Sequence, residues 1–303
     1  MLLGLITVWG VNFSIVKGAV SGSDASFTPI AFNAFRFAVA ALALLALMRL
    51  MGEARPSNRR DLLLIFGLGL IGNSLYQPLF IVGLSYTSPA NSSLIMATVP
   101  VIVALIGAAL RTERLTGLAW LGIVLSFAGI LIVVLGNGSG TADPSQPGTS
   151  FVLGDALVFL AAVTWSVYTV LSGPLLKRYP ATVVTSLSLL FGALPIILLA
   201  LPDVARLNWS AVSLGGWSAV LYSGVLAIAA GYAIWNRGVQ HLGSARTAVY
   251  SNLTPVVAAA VAWLVRGDPL TVYHLIGAAI ILTGINLTRR GRQARAEPLP
   301  AEE

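Results

Sequence analysis

The sequence predicts an all-α membrane protein with ten transmembrane helices, arranged as two inverted repeats of five. Three observations predict this class. The chain of 303 residues is 57% hydrophobic and 10% charged, whereas soluble domains carry about 25% charged residues. Ten apolar segments are each long enough to cross a bilayer, which takes about 20 residues. Finally, two stretches of 48 residues are copies of each other.

The ten apolar segments follow one another along the chain with short polar connections between them, and we refer to them here as predicted helices 1 to 10. Each is predominantly apolar over the length that a helix needs to cross the hydrocarbon core. In chain order they lie at about 2–20, 29–50, 61–82, 89–110, 116–136, 152–173, 181–201, 211–235, 244–265 and 270–288.

The longest connection separates two halves of five predicted helices each. It follows residue 136, is rich in glycine, serine, threonine and proline, and contains no basic residue. The sequence therefore predicts an N-terminal five-helix repeat over 1–136, a periplasmic linker over 137–150, a C-terminal five-helix repeat over 151–289 and a cytoplasmic tail over 290–303.

The copied stretches are residues 83–130 and 238–285. A constant offset of 155 superposes them without a gap, and eleven of the 48 aligned positions are identical. Each copy has a proline near the middle of its first apolar run, then an acid-x-Leu-Thr sequence and two glycines. A fixed internal period indicates duplicated architecture. The identical pairs are Gly83/Gly238, Ala90/Ala245, Pro100/Pro255, Val101/Val256, Ala104/Ala259, Arg111/Arg266, Leu115/Leu270, Thr116/Thr271, Gly122/Gly277, Gly129/Gly284 and Ile130/Ile285.

The basic residues predict how the chain is oriented in its membrane. With the N-terminus in the cytoplasm, 14 of the 18 basic residues fall in cytoplasmic connections or the tail, and three fall outside: Lys17, Arg206 and Arg266. The positive-inside rule favours this orientation. We therefore expect a multi-pass protein of a bacterial inner (plasma) membrane with both termini in the cytoplasm.

Five helices per half is an odd number, so the second half must lie inverted in the membrane relative to the first. The matched Arg111 and Arg266 accordingly fall on opposite sides. Inverted repeats are typical of secondary transporters, whose substrate site lies near the midplane between the repeats. A membrane scaffold without transport activity stays open as an alternative.

A set of residues spread over nearly the whole chain resembles the EamA-type drug/metabolite transporters. The set comprises the Trp9-Gly10-x-Asn12-Phe13 motif and Lys17 in helix 1, Arg36 in helix 2, and the two proline, acid-x-Leu-Thr and glycine repeats. Within that family the resemblance is greatest to exporters of aromatic amino acids. It implies ten helices in two inverted five-helix units, with a central cavity lined mainly by helices 1, 3, 4, 6, 8 and 9.

The helices that would line this cavity carry aromatic and polar side chains at helical spacing. Helix 3 has four of them at i, i+3, i+4 and i+7, which share one face: Asn73, Tyr76, Gln77 and Phe80. Amides facing lipid would be costly, so this face is expected to look inward. Packing between helices and aromatic belts at the interfaces are the alternative. The other candidates are Trp9, Asn12 and Phe13 in helix 1, Met96 in helix 4, Trp165 and Tyr168 in helix 6, Tyr222, Tyr232 and Asn236 in helix 8, and Tyr250 and Thr254 in helix 9.

An aromatic cavity with scattered amides suits a small amphipathic solute, because rings stack on rings and amides bond an ammonium or a carboxylate. Arg36 lies about two turns into helix 2, and an arginine within the membrane is by default a candidate functional residue. It could attract a carboxylate, or it could only bond backbone carbonyls and fix helix ends.

The residue types that are missing narrow the mechanism. None of the eleven acids lies mid-membrane, and Asp155, about one turn into helix 6, comes closest. We therefore expect facilitated diffusion or exchange rather than proton antiport through a carboxylate. With no cysteine and two histidines near helix ends, we expect no metal and no cofactor. No P-loop and no paired catalytic groups occur in the spans, so no enzyme is predicted. The basic residues lie in short loops, so no nucleic-acid partner is expected.

Proline and glycine positions predict moving and static parts. Pro100 and Pro255 lie near the middle of helices 4 and 9, where proline removes a backbone hydrogen bond, and each could act as a hinge or as a static kink. Helices 5 and 10 are nearly bare of polar side chains but contain spaced glycines, which allow close helix approach. They are expected to be scaffold or a self-association surface, and the oligomeric state stays undetermined.

Together these observations predict a secondary transporter that exports aromatic and other hydrophobic amino acids by alternating access. Its expected partners are a small amphipathic solute and the lipid bilayer. The alternatives are export of another small neutral metabolite, such as a purine or a cysteine precursor, and the non-transporting scaffold. The word export rests on the family resemblance, because a facilitator follows its gradient.

Overall fold

Ten long helices make up almost all of the computed structural model, which describes residues 1–21, 26–111, 113–137, 148–268 and 270–294. All ten contain a window long and apolar enough to cross a membrane. The predicted all-α class with ten membrane-crossing helices is thus confirmed. The helices are α1 Leu2–Val20, α2 Pro29–Leu50, α3 Arg59–Tyr86, α4 Pro89–Ala109, α5 Gly117–Asn137, α6 Gly148–Leu176, α7 Ala181–Ala205, α8 Leu214–Leu242, α9 Ser244–Val265 and α10 Val272–Arg290.

Side-chain caps fix where several of these helices begin. Thr28, Ser88 and Ser213 each accept a hydrogen bond from a backbone N–H in the first turn of α2, α4 and α8. Thr271 and His274 form a reciprocal capping box at the start of α10. Such caps satisfy N–H groups that have no partner within the helix.

Three helices are longer than their apolar runs predict. Residues 61–82, 152–173 and 211–235 were expected, whereas α3, α6 and α8 extend by up to seven residues at one end or both. The extra turns contain polar residues that find partners on other helices. Gln240, for example, donates to the backbone oxygens of Leu176 and Tyr179 at 2.8 and 3.2 Å. A polar residue ends an apolar run in the sequence, but the helix continues through it when its side chain finds a hydrogen-bond partner.

Four helices are interrupted, and the interruptions follow the repeat. A π-helical turn occupies Leu70–Leu75 in α3, and another occupies Tyr222–Ala230 in α8. The offset of 155 carries residues 70–75 to 225–230, inside the second turn. In α4 the regular helix restarts at Val99–Ala109, and in α9 a 3₁₀ turn at Tyr250–Leu253 precedes the restart.

Each repeat proline is the second residue of such a restarted helix. Val99 and Pro100 open one segment, and Thr254 and Pro255 open the other. Proline fits the first helical turn, because the N–H that it lacks has no partner there. The prolines therefore mark breaks in α4 and α9.

The helix packing repeats itself when the two halves are exchanged. The packing of α1 on α9 corresponds to that of α6 on α4, and the packing of α2 on α8 to that of α7 on α3. Two pairs, α2 with α7 and α5 with α10, correspond to themselves. The two inverted five-helix repeats are therefore related by a pseudo-two-fold axis, and helices of one repeat pack directly on helices of the other.

Glycines bring α5 and α10 into backbone contact. A Cβ added to Gly284 would meet the carbonyl oxygen of Gly122 at 2.5 Å and the backbone nitrogen of Ser126 at 2.6 Å. A Cβ on Gly129 would lie 3.0 Å from the carbonyl oxygen of Gly277. The repeat offset converts one contact into the other. Small residues permit this close approach, which gains van der Waals contact where lipid gives no hydrophobic drive.

Short elements complete the described chain. Residues Trp209–Ala211 form a 3₁₀ turn, and the strand Glu113–Leu115 pairs antiparallel with Arg292–Ala294. Of the predicted linker, residues 138–147 lie outside the described residues, as do residues 295–303 of the predicted tail. The four domain boundaries stay a prediction.

The α5–α10 contact gives a first testable prediction. Replacing Gly284 by alanine should destabilise the protein by about 1–3 kcal/mol, because the new methyl group overpacks against backbone that cannot yield. The apparent melting temperature of detergent-purified protein would measure this.

The matched control is Gly67→Ala. Gly67 is also inside a membrane helix, but a Cβ there has nothing within 4 Å. Alanine is the better helix former, so this variant should be as stable as the native chain or slightly more stable. Equal melting temperatures for both variants would contradict the glycine contact.

Candidate functional site

A cavity of about 620 Å³, part of it open to the surroundings, lies between the two repeats. Its lining residues come from the middle turns of α1, α3, α6 and α8, from α2, and from the broken regions of α4 and α9. In chain order they are Trp9, Asn12, Phe13, Arg36, Tyr76, Gln77, Phe80, Met96, Val99, Trp165, Ala227, Ile228, Tyr232, Ser251 and Thr254.

The structure brings together eleven of the residues singled out from the sequence. The stripe on α3 contributes three of them, the aromatic motif of α1 contributes three more, and single residues come from other helices: Trp9, Asn12, Phe13, Arg36, Tyr76, Gln77, Phe80, Met96, Trp165, Tyr232 and Thr254. Four lining residues were not predicted: Val99, Ala227, Ile228 and Ser251. Their only signal is proximity to the breaks in α4, α8 and α9.

Asn73 was expected to share the cavity-lining face of α3 but lies elsewhere. The π turn at Leu70–Leu75 changes the angular spacing, so Asn73 leaves the face that Tyr76 and Phe80 present. Its side-chain nitrogen instead donates to the backbone oxygen of Ser188 in α7 at 3.1 Å. Asn73 therefore joins α3 to α7, as expected if it serves packing between helices.

Four other candidates also lie outside the cavity lining. The Tyr222 hydroxyl donates to the Val8 oxygen at 3.1 Å, and Tyr250 is 36% exposed on the outer surface. The Asn236 side-chain nitrogen donates to the Tyr168 hydroxyl at 2.6 Å and to Thr185 at 2.7 Å. Tyr168 and Asn236 therefore form a layer behind the cavity wall.

Aromatic rings surround Trp165 on several sides. Its ring centroid lies 4.8 Å from that of Tyr232, 5.0 Å from Tyr76 and 5.2 Å from Tyr168, with Trp9 edge-on at 6.0 Å. These are the offset and edge-to-face distances at which rings attract one another. Trp165 is therefore the centre of an aromatic wall that a flat apolar group can join.

Arg36 is the charged residue of the cavity, and its bonds form a chain across the site. The side chain is 1% exposed. Its Nε donates to Asn33 Oδ1 at 2.9 Å, and its Nη2 donates to Gln77 Oε1 at 2.5 Å. Gln77 Nε2 in turn donates to the Tyr232 hydroxyl oxygen at 2.5 Å. Both acceptors of Arg36 are side-chain amides, so the expectation that it might only bond backbone carbonyls does not describe it.

The bond between Gln77 and Tyr232 lies on the pseudo-two-fold axis. These residues are 155 positions apart, which is the offset of the repeat. Each is the counterpart of the other, and a bond between counterparts must cross the axis. The cavity is thus built where the two repeats meet, as expected for the substrate site of an inverted-repeat transporter.

An ion pair joins the two repeats on one side of the cavity. We name the two sides of the bundle the Met1 face and the Val20 face, after the ends of α1. At the Met1 face, Arg178 bonds both carboxylate oxygens of Asp61 at 2.8 and 3.0 Å. The Tyr179 hydroxyl donates to the same carboxylate at 2.6 Å, which raises the pKa of Tyr179 and keeps it a donor. We call these three residues the Asp61 cluster.

A crevice replaces this cluster at the opposite side. Between α1, α8 and α9, a space of about 1160 Å³ opens at the Val20 face, lined by small residues that include Ser14, Gly18 and Gly216. The repeat offset carries Asp61 to Gly216. Equivalent positions in the two repeats therefore hold an ion pair at one face and line a crevice at the other.

Asp155 lies outside the cavity lining, in a network of its own. It is 2% exposed, and its carboxylate accepts from Thr87 Oγ1 at 2.6 Å and from Asn91 Nδ2 at 3.0 Å. The Asn91 amide oxygen meets His274 Nε2 at 2.8 Å. His274 Nδ1 accepts from the Thr271 backbone N–H at 3.1 Å, so Nε2 is the protonated nitrogen. This network joins α3, α4, α6 and α10 near the Val20 face.

Ten membrane-crossing helices in two inverted repeats around a central cavity define a membrane transporter of small solutes. The model of the EamA-like transporter family matches this chain twice, over residues 1–135 and 152–290. The chain therefore belongs to the EamA-like transporter family, and the resemblance seen in its motifs is confirmed at that level.

Similar proteins occur in bacteria, archaea and plants. The Bacillus subtilis uncharacterized transporter YyaM is 30% identical over 292 residues, covering 96% of this chain and 92% of that protein. An uncharacterized transporter of Archaeoglobus fulgidus is 27% identical over 95% of this chain and 96% of its own. A WAT1-related protein of Arabidopsis thaliana is 29% identical over 79% of this chain and 68% of its own. These names agree with a transporter rather than an enzyme.

A crystal structure of another protein shares the fold. It is 21% identical, covers 94% of this chain and 98% of its own, and superposes with a TM-score of 0.64. At that identity the likeness shows the fold alone. The similar transporters named above carry no substrate in their names, so the narrower resemblance to aromatic amino-acid exporters stays a prediction.

The aromatic wall gives a second testable prediction. Truncating Trp165 to alanine should remove about 3–5 kcal/mol of stability, because it leaves Tyr76, Tyr168 and Tyr232 without their central partner. Trp165→Phe should recover part of that loss. Thermal unfolding of the purified protein measures both.

Trp120 provides the control. It is 52% exposed on α5, away from the cavity lining, so Trp120→Ala removes the same side chain from a surface position. We expect a much smaller effect, because surface substitutions usually change stability by about 0.5 kcal/mol or less. A drop for Trp120→Ala as large as that for Trp165→Ala would show that the aromatic wall has no special role.

Proposed function

We propose that this protein is a secondary transporter that moves small amphipathic solutes, and aromatic amino acids in particular, by alternating access. The observation that carries this proposal is the composition of the central cavity. An aromatic wall around Trp165 faces a cavity that also contains one buried guanidinium, Arg36. A solute with a ring and a carboxylate matches both features.

The breaks in α4 and α9 support alternating access. Both helices restart at a repeat proline, and both contribute lining residues next to the break: Met96 and Val99 in α4, and Ser251 and Thr254 in α9. Bending at either break would change the cavity on one side only. The Asp61 cluster joins the two repeats at the Met1 face, and its counterpart position lines a crevice at the Val20 face, so the two faces differ as alternating access requires.

The distribution of charge supports an orientation. If the Met1 face is cytoplasmic, most basic residues lie inside, as the positive-inside rule requires. Both termini are then cytoplasmic, in the inner membrane of a bacterium. The crevice at the Val20 face would open to the outside.

The lining supports transport without proton antiport through a carboxylate. The described residues that form the cavity wall include neither aspartate nor glutamate. The Asp155 carboxylate accepts hydrogen bonds from Thr87 and Asn91. It lies nearer the start of α6 than the lining residue Trp165. We therefore propose facilitated diffusion or exchange, in which the solute gradient sets the direction.

Flux into liposomes tests the proposal. Purified protein in liposomes should carry labelled tryptophan and phenylalanine faster than alanine or lysine, because only the first two can join the aromatic wall. A pH gradient should leave the rates unchanged. Empty liposomes and liposomes holding Trp165→Ala protein serve as controls.

Two results would count against this proposal, and each removes a different part. No flux of any of the four amino acids would remove amino acids as the cargo. A pH-gradient effect that disappears in Asp155→Asn would overturn the carboxylate-independent mechanism, because it would give the Asp155 network the coupling role.

The repeat prolines test alternating access. Pro100→Ala and Pro255→Ala should slow flux severalfold, because alanine can supply the N–H that lets a helix continue through the break. Both variants should still fold, since each proline occupies a first turn where alanine is tolerated. Pro195→Ala is the control, as that proline lies inside the uninterrupted helix α7. Normal flux in both repeat-proline variants would contradict the hypothesis that the breaks act as hinges.

A further inference from the structure

Arg36 is a buried cation without an anionic partner among the described residues. It is 1% exposed and lines the cavity, and the described residues bring no carboxylate within ion-pair distance of it. Two of its five N–H donors bond to Asn33 and Gln77. Burying a charge without a counter-charge is costly. A cavity that contains this buried guanidinium is suited to a ligand with an anionic group.

The direction of the hydrogen-bond chain makes Tyr232 a second donor. A guanidinium can only donate, so the Gln77 atom that meets Arg36 must be the amide oxygen. The Gln77 nitrogen then donates to the Tyr232 oxygen. The hydroxyl hydrogen of Tyr232 is not used in this bond and is available to the cavity. The same anionic group can therefore receive hydrogen bonds from both sides of the pseudo-two-fold axis.

Acceptors for an ammonium group are scarce in the same cavity. The Asn12 amide oxygen already accepts from Ser223 at 2.5 Å, and the Ala227 carbonyl already accepts from Trp9 Nε1 at 2.8 Å. Among the described lining residues, the remaining polar groups are three hydroxyls, those of Tyr76, Ser251 and Thr254. None of them is charged, whereas Arg36 repels a second cation.

From this imbalance we propose that the cavity recognises an aryl carboxylate through its carboxylate and its ring, and gains nothing from an ammonium group. The inference rests on the proposed function, because it concerns the cargo of the same cavity, and it narrows the cargo class. Aromatic carboxylates without an amino group should bind at least as well as the matching amino acid. Aromatic amines without a carboxylate should bind poorly.

Three molecules with one indole ring and matched chains test this: tryptophan, indole-3-propionate and tryptamine. They differ only in which charged group is present. Competition against labelled tryptophan flux in proteoliposomes should show indole-3-propionate inhibiting at the same concentration as unlabelled tryptophan, or a lower one. Tryptamine should be at least about tenfold weaker, the loss expected for one charge-assisted hydrogen bond.

Thermal stabilisation of the detergent-purified protein tests the inference without any flux. A ligand that binds the folded state raises the melting temperature. Indole-3-propionate should therefore stabilise the native chain, and tryptamine at equal concentration should not. In Arg36→Gln protein the stabilisation by indole-3-propionate should disappear. Arg206→Gln, which removes an exposed arginine outside the cavity lining, should retain it.

The outcomes separate the two proposals. Tryptophan flux without competition by indole-3-propionate would overturn the carboxylate inference and leave the proposed amino-acid transport standing. Stabilisation by indole-3-propionate without tryptophan flux would support the inference and remove amino acids as cargo. Tryptamine acting as strongly as indole-3-propionate in both assays would overturn the inference. If Arg36→Gln protein fails to fold, the comparison of the three ligands on the native chain still decides.

Discussion

The buried guanidinium of Arg36 is the constraint on which the central site depends. A charge at this depth costs several kcal/mol, even when protein and water relax around it. Bonds to Asn33 and Gln77 and a position 5.5 Å from the Phe32 ring centroid offset part of that cost. Because the guanidinium can only donate, it orients the Gln77 amide, and Gln77 orients Tyr232. One charge thus sets the direction of every bond in the chain across the cavity.

The repeat explains the regularity of this structure and shows where the two halves differ. The Gln77–Tyr232 bond joins two counterparts, and the glycine contacts of α5 with α10 and the π turns of α3 and α8 come in pairs related by the offset of 155. The two faces are different, because Asp61 forms an ion pair where its counterpart Gly216 lines a crevice. Two halves with one architecture and different ends are what a protein needs to open on one side at a time.

Much of this fold can be predicted from the sequence, because the bilayer imposes simple rules. Ten apolar runs predicted ten helices, and the odd number per half predicted the inversion. Helix ends were harder, since α8 continues through polar residues whose partners lie on other helices. The helical spacing on α3 predicts one shared face, and the structure brings Tyr76, Gln77 and Phe80 to the cavity but turns Asn73 toward α7, because propensity rules do not predict a π turn. Ser251 could not be predicted because an interrupted helix has no regular face.

The charge in the cavity also bears on direction, which the residues alone left open. An aryl carboxylate without an amino group is a monoanion, and a carrier that moves it alone moves one negative charge per cycle. A membrane potential contributes about 2.3 kcal/mol per elementary charge per 100 mV. With the cell interior negative, that energy drives an anion outward and corresponds to a concentration ratio of about 50 at equilibrium. A facilitator would then work as an exporter of such anions, whereas a zwitterion such as tryptophan would follow its concentration gradient alone. Export would follow from the charge of the cargo, and the family resemblance would no longer be its only basis.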